Sequence, residues 1–163
     1  MTVEAVRTFL ARSAPDLEVL ELEASTATVE MAARGHGVVP AQIAKTLSLR
    51  IKDRTLLIVT SGDARLNNRK IKDVLGGKPR MLGADEVVAL TGHPVGGVCP
   101  FGLATPLPVY CDVSLRAFAE VVPAAGSTNS AVRIAPDRMA LLVDAEWIDV
   151  CDRPGGAAER AQP

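Results

Sequence analysis

Two features of this sequence carry residue types suited to stabilising a developing negative charge. Lys45 follows the apolar turn QIA and directly precedes the apolar segment TLSLRI, so its ammonium is expected at the edge of the core. The loop GGVCPFG, from Gly96 to Gly102, offers closely approachable backbone N–H groups, and Pro94 and Pro100 limit its freedom. Such a loop can form an oxyanion or water pocket. Each feature also has a structural interpretation, a snorkelling lysine and a rigid crossover, and the residue types alone leave both open.

Other catalytic classes find little support. His36 and His93 are the only histidines, and neither has a Cys, His or carboxylate at zinc-ligand spacing. No GxSxG motif occurs, and VLGGKP departs from the phosphate-binding loop pattern at two positions. Cys99 is a lone thiol without an evident base, which favours a small buried residue over a nucleophile. We therefore expect neither a metal nor a cofactor.

Composition limits the size of the fold and the class of ligand. A length of 163 residues fits one domain, and 48% hydrophobic residues supply its core. Only 3% of the residues are aromatic, which disfavours nucleic-acid binding by base stacking. The net charge is -1, but residues 45–80 contain ten basic and three acidic side chains, a local net charge of +7. This stretch is either a grip for one phosphate-rich ligand or a solvated face.

Cysteine usage and the chain ends indicate the setting of the protein. Its three cysteines include no close pair, which favours a reducing cytoplasm over a disulfide framework. The N-terminal residues do not resemble a signal peptide, and no run approaches the roughly 20 apolar residues of a membrane span. A soluble cytoplasmic protein without a membrane partner is expected. The C-terminal composition predicts one domain over 1–151 and a disordered tail over 152–163.

The periodicity predicts helices and strands that must position these residues. Helices are expected at 2–13, from Ser25 or Thr26 to about Arg34, at 69–75 after a cap at Asn67 or Asn68, at 84–90 and after Pro136. Strands are expected at 17–22, 46–51, 55–60, 109–111, 119–122, 132–134 and 147–151. Because helices and strands do not alternate regularly, an α+β fold with a mixed sheet is favoured.

Several ordered motifs together resemble a known family. They are QIAKTLSLR, LLIVTSGDARLNNRKIKDVLG, GHPVGGVCPFG and AAGSTNSAVRIAP, within a span of roughly Ser25 to Val150. The chain resembles the YbaK/EbsC family, the prolyl-tRNA synthetase-associated (INS-type) editing domains. The resemblance implies a single compact domain whose central mixed or antiparallel sheet is surrounded by helices. It also implies a freestanding aminoacyl-tRNA deacylase that hydrolyses the ester of a wrongly charged tRNA.

The resemblance also implies a set of site residues. Lys45 matches the family's characteristic lysine and 96–100 its GxxxP loop, so the predicted catalytic residues are Lys45, Gly96 and Gly97. The predicted substrate-binding residues are Thr28, Val98, Cys99, Pro100, Gly126 and Ala131. From the basic stretch, the predicted tRNA-binding residues are Arg50, Lys52, Arg69 and Lys70. Thr28 and Ala131 stand where some relatives carry an aromatic residue and an aspartate, which weakens a cysteine-specific assignment.

These residues suggest hydrolysis without a triad or metal. An aminoacyl ester is already activated, so it chiefly needs a positioned water and a stabilised oxyanion. Lys45 would orient the terminal nucleotide or carbonyl, the amides of Gly96 and Gly97 would bind the water or oxyanion, and the vicinal ribose hydroxyl would assist. The expected substrate is a tRNA mischarged with Ala, Ser, Thr or Cys, with an aminoacyl-tRNA synthetase as a further partner. The alternatives are a non-catalytic module that binds tRNA or a synthetase, and a small-molecule esterase or amidase.

Overall fold

The computed structural model describes residues 2–152. The predicted tail at 152–163 lies outside the described residues, except for Asp152. The α-helices are α1 (Thr2–Ser13), α2 (Val29–His36), α3 (Asn68–Leu75), α4 (Ala84–Thr91) and α5 (Pro136–Leu142). The strands are β1 (Leu20–Glu21), β2 (Ile43–Ile51), β3 (Arg54–Ser61), β4 (Pro79–Met81), β5 (Val109–Asp112), β6 (Val122–Pro123), β7 (Ser130–Ala131) and β8 (Glu146–Ile148). Short 3-10 helices occupy Pro40–Gln42 and Val113–Ala117.

A mixed six-stranded sheet organises the domain. Its strand order is β4-β2-β3-β5-β8, and β6 pairs with β2 beyond this path. Strand β2 is antiparallel to β3 and β4, whereas the β2–β6, β3–β5 and β5–β8 pairs are parallel. A separate two-stranded sheet joins β1 to β7. This arrangement confirms the predicted α+β fold with a mixed sheet.

The sheet is buried on both faces, as the alternation of β3 shows. Leu57 and Val59 join a cluster with α1, α5 and the buried Phe101. Leu56 and Ile58 point to the opposite face and pack against α3. Because successive side chains of a strand point to opposite faces, the apolar run of β3 serves both clusters. The central strands are therefore held rigidly, and β2 with them.

Local capping fixes the ends of the helices near the sheet. Thr28 accepts a hydrogen bond from the Met31 N–H at 3.1 Å, and Asn67 accepts one from the Lys70 N–H at 3.0 Å. Both are N-caps, whose side-chain oxygens satisfy free N–H groups of the first turn. Gly37 and Gly76 end the same helices in the left-handed region, at φ 69° and 88°. The predicted cap at Asn67 is confirmed.

The predicted element boundaries differ most where strands are short. The predicted strand at 17–22 is reduced to the two residues of β1, and the helix expected from Ser25 or Thr26 begins at Val29 after its Thr28 cap. The strand predicted at 119–122 is reduced to β6. The strand predicted at 132–134 is not formed as such, because β7 ends just before it and only an isolated bridge joins Ile134 to Val121. Tertiary pairing, rather than local preference, sets these short elements. Within the described residues, no helix is long and apolar enough to cross a membrane.

Candidate functional site

A cavity of about 290 Å³ opens beside the outer edge of β2. One wall is β2 itself, from Ile43 to Ser48, and the facing wall is the glycine loop, through Val95, Gly96 and Val98. The start of α2 and the segment before it close one end of the cavity. Lys45 and Gly96, which the sequence analysis singled out separately, therefore line one cavity.

Lys45 lies within β2, paired with Thr60 of β3, and does not precede the strand as predicted. The half-buried side chain donates from Nζ to the Ala64 carbonyl at 2.7 Å. Burial lowers the pKa of this ammonium below its ordinary value of 10.5, and the neighbouring Asp63 and Glu30 oppose that shift. The position of the ammonium is thus fixed by the sheet and by one main-chain acceptor, and Lys45 is a residue that lines the cavity.

The glycine loop presents one free amide to the cavity. Gly96 has φ 90°, and a Cβ at this position would lie 2.9 Å from the Ala27 Cβ, so only glycine fits without strain. Its N–H has no hydrogen-bond partner within residues 2–152. The Gly97 N–H, in contrast, donates to the Pro94 carbonyl at 2.8 Å, and Gly97 does not line the cavity. The predicted oxyanion role therefore fits Gly96 and not Gly97.

Gly97 has a packing role instead. A Cβ on this residue would approach the Ser127 backbone to 2.7 Å, and the Gly97 carbonyl accepts from the Gly126 N–H at 3.0 Å. Gly126, at φ 95°, lies in the late glycine-containing loop, and its hydrogen bond to Gly97 connects that loop to the glycine loop. Gly126 does not line the cavity. The two loops are therefore packed main chain against main chain.

A buried cluster supports the glycine loop from behind. The His93 Nε2 lies 2.8 Å from the Phe101 carbonyl, which can only accept, so this nitrogen carries the proton. Cys99 is fully buried, with its Sγ 3.7 Å from the same carbonyl, and burial raises the thiol pKa to about 12. Cys99 and the buried Pro100 do not line the cavity. Both side chains pack inward, and their contact with substrate stays a prediction.

The other predicted substrate-binding residues divide in the same way. Thr28 and Val98 line the cavity, although the Thr28 hydroxyl is committed to capping α2. Ala131 does not line it. It is 4% exposed and packs in a small cluster with Ile43 and Val122, so its contact with substrate stays a prediction as well. The alanine that replaces the aspartate of some relatives at position 131 therefore packs behind the cavity wall, against residues that line it.

The sequence analysis missed several polar cavity residues. Thr46 and Ser48 follow Lys45 on β2, and Ser130 lies opposite them on β7. Ser130 Oγ lies 2.6 Å from Ser127 Oγ and accepts from the Ser127 N–H at 3.2 Å. The signal for Thr46 and Ser48 was present in TLSLRI, where polar residues interrupt an otherwise apolar strand.

The predicted tRNA-binding residues separate into paired and unpaired side chains. Arg50 forms an ion pair with Glu86 at 2.7 Å, and Lys70 pairs with Asp149 at 3.0 Å while also donating to the Cys151 carbonyl. The exposed Lys52 and Arg69 have no ion pair within the described part of the chain. The same holds for the exposed Arg65, Lys72, Lys78 and Arg80. The unpaired charges, not Arg50 and Lys70, are free to meet an anion.

Metal chemistry has no visible site. Among residues 2–152, no group of three or more His, Cys, Asp or Glu side chains is arranged to hold a metal ion. The chemical groups of the cavity are one lysine ammonium, hydroxyls and main-chain amides. Such groups can bind and polarise a carbonyl compound without a metal.

Comparisons with known proteins identify the family of the chain. Residues 23–141 match the model of the family described as the aminoacyl-tRNA editing domain. The chain is 46% identical to the uncharacterized protein YwhH of Bacillus subtilis (strain 168), over 93% of this chain and 98% of that protein. It is 29% identical to the proline–tRNA ligase of Bacillus licheniformis, over 64% of this chain but only 18% of the ligase.

A solved structure agrees in both fold and sequence. It is described as a "putative trans-editing enzyme for prolyl tRNA synthetase" and superposes with a TM-score of 0.86 at 34% identity, covering 93% of this chain and 98% of its own. The family predicted from the motifs is confirmed. This chain belongs to the aminoacyl-tRNA editing domain family, which the ordered motifs, the mixed sheet and the lysine-lined cavity all indicate.

Proposed function

We propose that this protein is a trans-acting aminoacyl-tRNA deacylase that hydrolyses the ester of a tRNA mischarged with a small amino acid. The observation that carries the proposal is a single cavity lined by both Lys45 and Gly96, whose N–H is free within the described residues. A cation and an unpaired amide facing one small space are the groups that stabilise a developing oxyanion. The YwhH relative and the solved trans-editing candidate match nearly the whole chain, which supports action as a separate protein.

The reaction requires attack of water on the ester carbonyl. A bond forms between the water oxygen and the carbonyl carbon, and the developing oxyanion accepts a hydrogen bond from the Gly96 N–H. The Lys45 ammonium orients the terminal nucleotide or the carbonyl through its positive charge. Collapse of the intermediate breaks the ester bond, and the water proton ends on the departing ribose oxygen, with the vicinal hydroxyl assisting its transfer. Positioning and electrostatics supply the rate, since the ester is already activated.

The cavity favours a small aminoacyl group. Its volume of about 290 Å³ must also hold part of the terminal ribose, and Val29, Ala32 and Val98 are among its apolar lining residues. Each methylene changes binding in such a pocket by only about 1–3 kcal/mol. Alanine, serine, threonine and cysteine therefore all belong in the substrate panel.

The acceptor-stem phosphates would meet the unpaired basic side chains. Lys52 and Arg69 are exposed and free of ion pairs within the described residues, as are Arg65 and Arg80. Each phosphate contact that releases a counterion steepens the salt dependence of binding. Replacing Lys52 and Arg69 by Ser should flatten that dependence, whereas replacing the paired Arg50 should change it less. A salt response that is flat in the unaltered protein would contradict this surface.

The decisive experiment is a deacylation assay over tRNAs mischarged with each of the four amino acids. The unaltered protein should release at least one of them faster than spontaneous hydrolysis. Lys45→Ala should lower kcat/KM by about 100-fold or more, the scale seen on loss of one oxyanion-stabilising group. Arg12→Ala, which removes an exposed cation on α1, is the matched control. Circular dichroism establishes that both variants fold.

The same assay tests the competing functions. A non-catalytic binding module would protect the ester from hydrolysis, and a small-molecule esterase would act without the nucleic acid. Equal turnover by Lys45→Ala and the unaltered protein would remove Lys45 from the mechanism.

A further inference from the structure

The outer edge of β2 is covered at both ends but not in the middle. Strand β6 pairs with Ile43 and Ala44, and β4 pairs with residues 49–51. One more bond extends the β4 side, from the Leu82 N–H to the Ser48 carbonyl at 3.0 Å. Residues 45–47 therefore have no strand on this edge, and the cavity opens there.

Thr46 is the residue whose main chain faces this gap. Successive residues of a strand direct their N–H and C=O groups to opposite edges. Because the Ser48 carbonyl points outward to Leu82, the main-chain groups of Thr46 point outward as well. Continuing the register of β4 would place residue 84 opposite Thr46, but the chain turns away at Gly83 to begin α4.

The side chain of Thr46 adds a second observation at the same place. Its Oγ1 is buried and has no hydrogen-bond partner within the described residues, although the residue lines the cavity. A buried hydroxyl without a partner is costly, so it marks a position prepared for a polar group. Rotation of χ1 by about 120° would move Oγ1 into the place of the methyl group, which would take the place of the Cβ hydrogen. Thr46 thus carries two free main-chain groups and one orphaned hydroxyl beside the cavity.

We infer that the open edge of β2 at Thr46 binds the α-ammonium and the ester carbonyl of the substrate, so that the substrate class is a free α-amino ester. This inference rests on the proposed deacylase function and specifies how its substrate is recognised. The α-ammonium donates to the Thr46 carbonyl, and the Thr46 N–H donates to the ester carbonyl. An amino acid in this position forms the same pair of bonds as one residue of an added antiparallel strand.

Charge supports this assignment. The substrate ammonium is a cation that must enter a cavity already containing the Lys45 ammonium. The main-chain groups of Lys45 point toward β3, on the edge of β2 opposite to that of the Thr46 main-chain groups. The Lys45 ammonium donates to the Ala64 carbonyl, away from the main-chain groups of Thr46. The Thr46 carbonyl therefore supplies the acceptor that a second cation needs, and a charge-assisted bond of this kind is stronger than a neutral one.

The first test compares esters that differ only at the α-position. The fastest aminoacyl-tRNA of the panel is assayed beside its hydroxyacyl counterpart, made by deamination with nitrous acid, and each rate is divided by the spontaneous rate of that ester. Loss of the charged hydrogen bond should slow the hydroxyacyl ester by about 10-fold to 150-fold. Equal normalised rates would overturn the inference while leaving the deacylase function intact. Failure to hydrolyse any aminoacyl ester would instead remove the proposed function itself.

The second test locates the effect at Thr46. Thr46→Pro removes an N–H that no strand uses, so the ladder with β3 stays intact, and kcat/KM for the amino ester should fall about 10-fold or more. Leu47→Pro is the matched control, because its N–H faces β3 and its loss should lower Tm much further. Thr46→Val removes only the hydroxyl, so its kcat/KM separates the contribution of the hydroxyl from that of the main-chain groups. A folded Thr46→Pro with unchanged kcat/KM would contradict the main-chain role, and if that variant does not fold, the ester comparison decides.

Discussion

The two walls of the cavity are built in different ways. The β2 wall is regular secondary structure, since eight of the nine residues of β2 pair with β3 and the strand carries Lys45, Thr46 and Ser48 at fixed spacing. The loop wall has no regular structure, and its position depends on the packing of Gly97 against Ser127 and on buried side chains behind it. The β2 wall supplies charge and polar groups, whereas the loop wall supplies a free amide.

This difference predicts how each wall responds to substitution. A strand held by a hydrogen-bonded ladder keeps its path when one side chain changes, so substitutions there should alter chemistry before stability. An irregular loop keeps its path only through close contacts, so a small added group should displace it. Four experiments test this contrast.

The largest effect is expected from Gly97→Ala in the loop wall. Its Cβ would lie 2.7 Å from the Ser127 backbone, which cannot move aside as a side chain could. The loop should shift, with a loss of about 100-fold in deacylation and about 1–3 kcal/mol in the free energy of unfolding. Gly83→Ala is the control, because a Cβ there meets nothing within 4 Å and φ is −69°. Unchanged kinetics and Tm in Gly97→Ala would contradict the packing role of the loop.

The next effect concerns charge on the β2 wall and is read from a pH profile. Burial lowers the pKa of Lys45, so the cationic form is complete at lower pH and is lost as pH rises, before the ordinary lysine range is reached. Above that pKa, deacylation normalised to spontaneous hydrolysis should fall by about tenfold per pH unit. Lys45→Arg stays charged, so its profile should lack the fall caused by Lys45 and keep only the fall that both proteins share as the substrate α-ammonium loses its proton, at a lower overall rate. Parallel profiles for the two proteins would show that the charge of Lys45 does not limit the reaction.

A smaller effect is expected from His93 behind the loop wall. Burial lowers the pKa of His93, so folding favours its neutral form. Stability from this group is full above the unfolded pKa of about 6.5 and is lost as pH falls below it, at no more than about 1.4 kcal/mol per pH unit. His93→Gln keeps a donor for the Phe101 carbonyl and should reduce this acid dependence in urea unfolding between pH 5 and 7. Burial also lowers the pKa of His36, which should account for the acid dependence that remains in His93→Gln. If the free energy of unfolding of His93→Gln depends on pH as steeply as that of the unaltered protein, His93 does not contribute to it.

The smallest effect is expected at the closed end of the cavity, where Thr28 caps α2. Thr28→Ala removes the acceptor for the Met31 N–H and should cost about 1 kcal/mol in thermal unfolding, with only a few-fold change in kcat/KM. Thr28→Ser retains the capping oxygen and should behave as the unaltered protein does. A large loss of activity in Thr28→Ser would indicate direct contact between the threonine methyl group and the substrate.

The site could be predicted in part. The resemblance to the family marked Lys45 and Gly96, and both residues line the cavity. Cys99 and Ala131 were predicted from the same resemblance but do not line it, because the sequence does not show which side of a loop or strand faces a cavity. Thr46 was missed for a related reason, since only the pairing of β2 with β4 and β6 reveals that its edge is open.

The sequence by itself determined the α+β class, a helix cap at Asn67 or Asn68, and the lysine and glycine motifs, because these depend on residue type and near neighbours. Only the tertiary structure decided which amide remains free, which cations are already paired and where β2 is left uncovered. Those properties depend on groups distant in sequence, as when Glu86 neutralises Arg50 or Pro94 and Ser127 fix Gly97. The folded structure determines which donors, acceptors and charges are already paired, and the order of residues along the chain does not show this.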